Sequence, residues 1–554
     1  MTKRINSHLI GLAYKSTSTL FILTCILVLM SGIFLPVYSD EVVTKWLIAR
    51  FFIDLHQRTT LFPQCSSTVG TYIPLVYYPA VFLYSLLYKP LAPLALRISG
   101  IVCSLLWFSG FAYWCLRITQ SKKTGLFLFV TLIACTVSLG VIPFLMIFAR
   151  PEQLMITIIM LLFLYCLFWQ PIVTQKVQWF ALAIFLLLSS CFFFVHAKSL
   201  FFLPFFIIVA YLITKKSSII VTFSVIFFLL ILSYQNIADS NLYTQCQNEA
   251  PIILALFKAN TLLPSDLITS PITFFKKGFL NLASTPAQLI NHAIFQPSYQ
   301  SSWLPTTSNS NYFIQFLNNL ISSMLYLVII GSHIGVVIVF LFNLFKRSLS
   351  KPILLGGMLA LGSLANAFFY NMWNFYGLSQ AIPISMMLIL TLLPTPYTKY
   401  PSFQLKTISI ILMIVSLMSM CTLLYRTLPL MVLNSSSTDS DIKDQYLSIP
   451  TFSQEEQVIK IQKLAKKCGI PFTNTEHLVV DHQTYFAFPE NKFPIHVLYI
   501  SEVGYGGDLV NGKLEILLRK LHSPGVIARC SYLSPQLVKQ EKIVSEGYCC
   551  IKFK

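Results

Sequence analysis

Apolar residues dominate this chain in long unbroken runs, and polar residues collect in short clusters between them. A bilayer crossing needs roughly 20 mostly apolar residues. Such runs fall near 18–37, 73–88, 95–116, 125–148, 152–170, 178–195, 199–214, 218–234, 318–345, 352–372, 376–394 and 406–428. The pattern predicts an α-helical polytopic membrane protein with about 11–12 transmembrane helices. Near residue 435 the pattern changes. Residues 455–467 have helical periodicity, as do 513–521, while 477–481, 484–488, 494–501 and 547–553 read as strands. The chain therefore divides into a transmembrane domain, 1–434, and a small mixed α/β soluble domain, 435–554.

Composition narrows the class further. Of 554 residues, 56% are apolar and 11% charged, less than half the charge of an ordinary soluble domain. A soluble globular protein, a disordered chain and a coiled coil are excluded. The formal net charge of +19 would suggest nucleic acid in a soluble protein. Here the cations sit between apolar spans, so they report membrane topology and no nucleic-acid partner. Acids are scarce before residue 435: Asp40, Glu41, Asp54, Glu152, Asp239, Glu249 and Asp266.

Positive charge sets sidedness. Lys3, Arg4 and Lys15 place the start of a retained first helix in the cytoplasm. Arg117/Lys122/Lys123, Lys176, Lys215/Lys216, Lys346/Arg347/Lys351 and Lys399/Lys406 mark later cytoplasmic loops. These agree if 73–116, interrupted by Pro90 and Pro93, makes one net crossing. Eleven crossings follow, with the C-terminal domain outside. The outer face then holds loop 38–72, the Arg150-Pro-Glu152 and His196-Ala-Lys198 turns, and the long loop 235–315, together with all seven acids.

Each outer element has a plain and a chemical reading. Asp40 and Glu41 follow the first helix and head an amphipathic segment, 40–56, containing Trp46 and Phe51. They can cap a helix; a carboxylate near hydrocarbon can also serve as a general base. Pro151 and Glu152 suit a helix start, whereas Arg150 can hold phosphate oxygens in a bidentate fork. His196 and Lys198 either anchor at the interface or hold a lipid phosphate. Tyr370 and Asn371 belong to an aromatic, amide-rich turn that anchors at the interface or supports a sugar. Loop 235–315 is a lid, an acceptor platform or a packed cap. No CxxC, HExxH, P-loop or ligand-spaced acidic cluster occurs, so no metal site is assigned. No cofactor follows from the residues, and a divalent cation is left open. Cys65, Cys246, Cys468, Cys530, Cys549 and Cys550 lie outside the spans, an even set that permits disulfides without giving their pairing. Asn434-Ser-Ser matches an N-glycosylation triplet.

Together these features resemble the GT-C superfamily of integral membrane glycosyltransferases, which includes protein O-mannosyltransferases, the aminoarabinose transferase of lipid A and the mannosyltransferases of GPI-anchor synthesis. Asp40-Glu41 matches the family's acidic pair in the first outer loop. Tyr72-Ile-Pro-Leu-Val-Tyr-Tyr-Pro79, Ala95-Leu-Arg97-Ile-Ser99 and Arg150-Pro-Glu152 correspond to its later motifs. Where the family usually begins Lys-Pro-Pro-Leu, this chain has Tyr-Ile-Pro-Leu. The resemblance implies inverting transfer of a hexosyl or pentosyl group from a polyprenyl-phosphate-linked donor to a lipid, glycan or protein acceptor of the cell envelope. It implies Asp40 as base, Glu41 as its support or as an acceptor ligand, and Arg150, His196 and Lys198 at the donor phosphate, with Glu152, Tyr370 and Asn371 supporting. A bacterial inner (plasma) membrane is the expected location, with the site and C-terminal domain periplasmic. Two rival classes are a lipid-linked glycan ligase or polymerase, weakened because 235–315 has no Arg, and a non-enzymatic transporter or assembly protein, weakened because mid-span acids are absent.

Overall fold

The structure, a computed structural model, describes residues 2–38, 41, 50–52, 57–58, 71–88, 92–119, 121–169, 175–241, 261–295, 312–371, 377–394, 401–435, 447–452, 454–473, 475, 477–493, 495–497, 522–533, 537 and 539–553. The chain forms two compact units. Among the described residues, nine helices are long and apolar enough to cross a membrane.

The first unit comprises residues 1–33, 100–233 and 260–429. Its helices are α1 (Thr2–Ser31), α3 (Pro93–Ile118), α4 (Lys122–Ala134), α5 (Ile142–Ile147), α6 (Pro151–Leu164), α7 (Gln175–Val195), α8 (Leu203–Thr214), α9 (Ile219–Asn241), α10 (Pro264–Thr269), α11 (Pro271–Ala293), α12 (Tyr312–Phe345), α13 (Lys351–Phe369), α14 (Leu378–Leu392) and α15 (Phe403–Ser435); α3, α9 and α15 continue into the second unit. Burial sorts them. On α1, Leu20, Leu23 and Leu27 are exposed, as expected of a helix whose solvent is lipid. By contrast α6 and α14 are buried on nearly every residue. At 15 residues, α14 spans only about 22 Å, short of a bilayer core. It packs against α5, α6, α12 and α13, and so meets protein rather than lipid.

The run expected at 125–148 is broken. Residues 135–141 form a turn between α4 and α5. Gly140 adopts φ +56°, a conformation that favours glycine, and Pro143 starts the next helix. The Ala293 carbonyl at the end of α11 accepts from Val141 N at 2.9 Å, and a Cβ on Gly140 would lie 1.8 Å from that oxygen.

The second unit comprises residues 34–99, 234–259 and 430–554. It adds the short helix α2 (Tyr78–Tyr88) and the small pair β2 (Gln57–Arg58) and β3 (Thr71–Tyr72). Chain leaving α1 forms β1 (Val37–Tyr38), which pairs antiparallel with β4 (Leu447–Ile449) beyond α15. Asn434 reinforces this junction. Its amide donates to Phe34 O at 2.8 Å and Thr451 Oγ1 at 2.6 Å, and accepts from Thr451 N at 2.8 Å. A fully buried amide committed to three hydrogen bonds is no glycosylation acceptor in the folded chain, so the Asn434-Ser-Ser triplet is structural.

The C-terminal part of the second unit is built on a five-stranded sheet, ordered β6 (Ile495–Val497), β5 (Leu478–Val480), β7 (Gly525–Arg529), β9 (Tyr548–Lys552), β8 (Ile543–Ser545). β5 runs parallel to β6 and β7, and β9 antiparallel to β7 and β8. Helix α16 (Gln454–Cys468) packs Ile461, Leu464 and Ala465 inward. Consecutive side chains on a strand point to opposite faces, and β9 uses this. Cys550 bonds Cys468 at the end of α16, while Cys549 bonds Cys530 just past β7. Two neighbouring cysteines thus tie both faces of the sheet.

The strand expected at 484–488 is instead a 3₁₀ turn, residues 484–487. The cause is Asp481, whose buried carboxylate accepts from the backbone N–H groups of Gln483 and Thr484 at 2.7 Å each and so turns the chain directly after β5. The expected helix 513–521 lies outside the described residues. Beside Asp481, burial pushes the His482 imidazole down to about 4; Asp481 opposes this and Arg529 adds to it. An unfolded histidine binds its proton near 6.5. The unfolded state therefore takes up more protons between these values. Stability from this residue is complete above about pH 6.5 and declines as pH falls toward 4, by about 3 kcal/mol in all. In the full-length protein, amide protection in 478–487, corrected for the intrinsic pH dependence of exchange, should fall as pH drops across that window, and this fall should be absent in His482→Gln.

Candidate functional site

The described chemistry gathers at two places, one in each unit. In the first unit, α5 leads through Phe148 and Ala149 into Arg150, and Pro151 opens α6. Gly100 permits this turn to lie against α3, because a Cβ there would sit 2.0 Å from the Ile147 carbonyl oxygen. Gln153 holds the three helices together. Its amide nitrogen donates to Gly100 O at 2.6 Å and Ser104 Oγ at 2.9 Å, and also to Met146 O. Ser104 Oγ donates to the same Met146 carbonyl.

Glu152, in the first turn of α6, is wholly buried. Arg150 Nε lies 3.7 Å from its Oε2, and Lys198 Nζ and His196 Nε2 lie 3.5 Å and 3.8 Å from its Oε1. Arg150 and Lys198 are themselves 5% and 7% exposed, so this is a desolvated cluster and no surface pair. Two separate interhelical turns, Arg150-Pro-Glu152 and His196-Ala-Lys198, converge on one carboxylate.

Local backbone chemistry sets the second turn. His196 caps the 3₁₀ helix of residues 197–202: its Nδ1 accepts from Lys198 N at 3.1 Å. A neutral imidazole accepting through Nδ1 carries its proton on Nε2, the atom nearest Glu152. Burial, then Lys198, push the His196 pKa down to about 4, against the pull of Glu152. At neutral pH it is an N–H donor, set with the Arg150 and Lys198 side chains around the Glu152 carboxylate.

Tyr370 lies beside this segment. Its ring meets Phe201 edge-on at 5.7 Å, three residues past Lys198, while Phe369 stacks on the same ring at 5.2 Å. Tyr370 also bridges to Thr261. Asn371 follows, with Oδ1 buried and without a hydrogen-bond partner among the described residues. The remainder of that turn, 372–376, lies outside the described residues.

In the second unit, Glu41 Oε2 accepts from Tyr38 N at 2.8 Å and pairs with Arg97 Nη2 at 2.9 Å. Arg97 Nη2 also donates to Pro36 O at 2.8 Å. Both side chains are fully buried. Arg97 therefore clamps the chain as it leaves α1, on both sides of residues 39–40. Asp40 itself lies outside the described residues, as does most of the amphipathic segment 40–56.

Sequence reasoning singled out Arg150, Glu152, His196 and Lys198, and the fold brings these four together. It did not assign Gln153 or pair Arg97 with Glu41. An amide in the first turn of an otherwise apolar helix was the available signal for Gln153; nothing local to Arg97 pointed 56 residues back to Glu41. Among the described residues, no three His, Cys, Asp or Glu side chains gather as a metal site.

The first unit holds an apolar groove lined by Phe21, Cys25, Leu105, Phe108, Val130 and Pro143 among others. Pro143 belongs to α5, the helix that leads to Arg150. No family model matches the chain, and no curated protein matches it.

Proposed function

We propose that the protein is a GT-C-like membrane glycosyltransferase that moves a sugar from a polyprenyl-phosphate-linked donor to an envelope lipid, glycan or protein. One observation carries the reading: a buried carboxylate with two cations and a histidine N–H around it, drawn from two turns between apolar helices. Such a cluster sets basic side chains in a low-dielectric setting. A departing lipid phosphate gains more from fixed cations there than it would in water. Arg150 offers a planar fork and Lys198 a point charge. Glu152, 3.7 Å from Arg150 Nε and 3.5 Å from Lys198 Nζ, holds both in place.

The apolar groove beside α5 suits a prenyl chain. Asp40 is the general base that takes the acceptor's proton, and the Glu41–Arg97 pair fixes the chain next to it. Sidedness supports the arrangement. Counting α4 and α5 as one crossing and α14 as another gives eleven. The chain leaving α1 and the domain beyond α15 then share the outer face, in agreement with the β1–β4 pairing. Two disulfides in that domain suit an oxidising compartment such as a bacterial periplasm.

The test is transfer in proteoliposomes supplied with a labelled polyprenyl-phosphate sugar and envelope acceptors. Wild-type protein is expected to transfer label. Asp40→Asn should lose at least about a hundredfold in rate, the low end of a general base's contribution, while remaining folded and still binding donor. Full activity in Asp40→Asn ends the assignment of the base. Solute flux without any transfer ends the enzyme reading.

A further inference from the structure

Helices α10 and α11 do not behave like the others. The 23-residue α11 is long enough to span, yet it is absent from the nine spanning helices because Lys276, Lys277, Asn281, Gln288, Asn291 and His292 punctuate it. It has three distinct sides. Phe274, Gly278, Asn281 and Thr285 are buried; Gly278 meets the Phe368 ring, and Asn281 Nδ2 donates to Phe368 O at 3.2 Å. Ile272, Phe275 and Phe279, spaced i, i+3, i+7, form a second side that is 84%, 49% and 61% exposed. Ile268 of α10 adds to it at 85%. On the third, Lys276, exposed, borders the apolar side, Leu280 follows at 60% exposed, and Lys277, half-buried, lies next to the buried side. Residues 267–293 contain no acid.

Water does not suit that open apolar side, and a membrane does. Helix α12 packs against α11 and opens with Phe313 and Phe316, 43% and 57% exposed, so an apolar surface continues from one helix to the next. Topology says how the helix lies. Ten crossings separate the end of α1 from the end of α15 in the eleven-span count, an even number, as the β1–β4 pair requires. An eleventh crossing by α11 would put Val37–Tyr38 and Leu447–Ile449 on opposite sides of the bilayer. The two lysines are also on the face where the positive-inside bias disfavours cations, which anionic headgroups offset.

We propose that α10 and α11 form a monotopic helix lying along the outer leaflet, with Ile268, Ile272, Phe275 and Phe279 at the acyl boundary and Lys276 and Lys277 among anionic lipid headgroups. This does not depend on the transferase reading. The occupant of the face is lipid, and the lysines choose anionic lipid.

The experiment uses the full-length protein in nanodiscs of phosphatidylcholine alone or mixed with phosphatidylglycerol. A diazirine amino acid at Phe275 or Phe279 should give lipid adducts in both discs. Amide exchange across 271–285 should be slower in the anionic discs, by up to about twenty-five-fold from about fivefold per lysine. Lys276→Gln/Lys277→Gln should erase that difference while exchange in α13 and α14 stays as in wild type. Adducts to protein alone, or none, would overturn the lipid face. Equal exchange in both discs would overturn the headgroup selection. Adducts confined to probes at the bilayer midplane would mean that α11 crosses, and would overturn the proposal.

Discussion

Replacing Glu152 by Gln is expected to destabilise the first unit by about 3–5 kcal/mol, the usual cost of removing one partner from a buried ion cluster. The carboxylate is the counter-charge for Arg150 and Lys198, both nearly inaccessible to water. It also sits in the first turn of α6, where the helix dipole is positive. The amide keeps the shape and removes the charge, so Arg150, Lys198 and the helix terminus lose the carboxylate set among them. Buried Cys103, Cys115 and Cys166 provide the readout. A thiol-reactive dye in detergent solution reports their exposure on heating, and the midpoint for Glu152→Gln should fall well below wild type. Excess inorganic phosphate or a short polyprenyl phosphate should restore part of the loss, because an anion bound at Arg150 and Lys198 would supply the missing negative charge. An unchanged midpoint would show that Glu152 is not the counter-charge. A lowered midpoint without rescue by either anion would leave the cluster structural and count against a phosphate site.

Arg97→Met should cost a similar amount, about 3–5 kcal/mol, by leaving Glu41 buried without its cation. The decisive comparison is the double variant Arg97→Met/Glu41→Leu. Apolar replacement of both members of a buried pair is often nearly neutral, so the double variant should lie within about 1 kcal/mol of wild type, apart from the lost hydrogen bonds to Pro36 O and from Tyr38 N. Strong non-additivity is the signature of direct coupling. If the two single effects merely add, the 2.9 Å contact does not hold the segment. The double variant also separates stability from chemistry. It should fold yet lose transfer, because the segment flanking Asp40 is no longer tied to α3 through a charge pair.

Much of the fold was legible because a membrane span is a composition signal. Twenty apolar residues between charged clusters announce a helix whatever its phase, and α1, α3, α6 to α9, α12, α13 and α15 lie where such runs are. The break between α4 and α5 was not legible, since Cys135 to Val141 are as apolar as their flanks and only Gly140 and Pro143 mark the turn. α14 is short for a reason no local pattern carries: it is enclosed by other helices. In the soluble domain, α16 and β5, β6 and β9 followed from periodicity. β7 and β8 did not; β7 is a five-residue strand buried at the sheet centre, without the alternation that marks a half-exposed one. Pairing is the general limit. The residue types of Arg150, Glu152, His196 and Lys198 suggested their chemistry, but only the packing of α6 against α7 and of α7 against the 197–202 segment brings them together. Likewise an even set of cysteines allowed bridges, and only the alternation along β9 sends Cys549 and Cys550 to different partners.

The β1–β4 ladder also orders events in time. Val37 and Tyr38 are synthesised early, yet their hydrogen-bond partners arrive only after every intervening helix has been made, and the Asn434-to-Phe34 contact joins positions 400 apart. Until then the stretch leading to Glu41 has one open edge. The ladder therefore closes only in a chain whose last helix has already been made, and the contacts that bracket Glu41 are among the last to be completed.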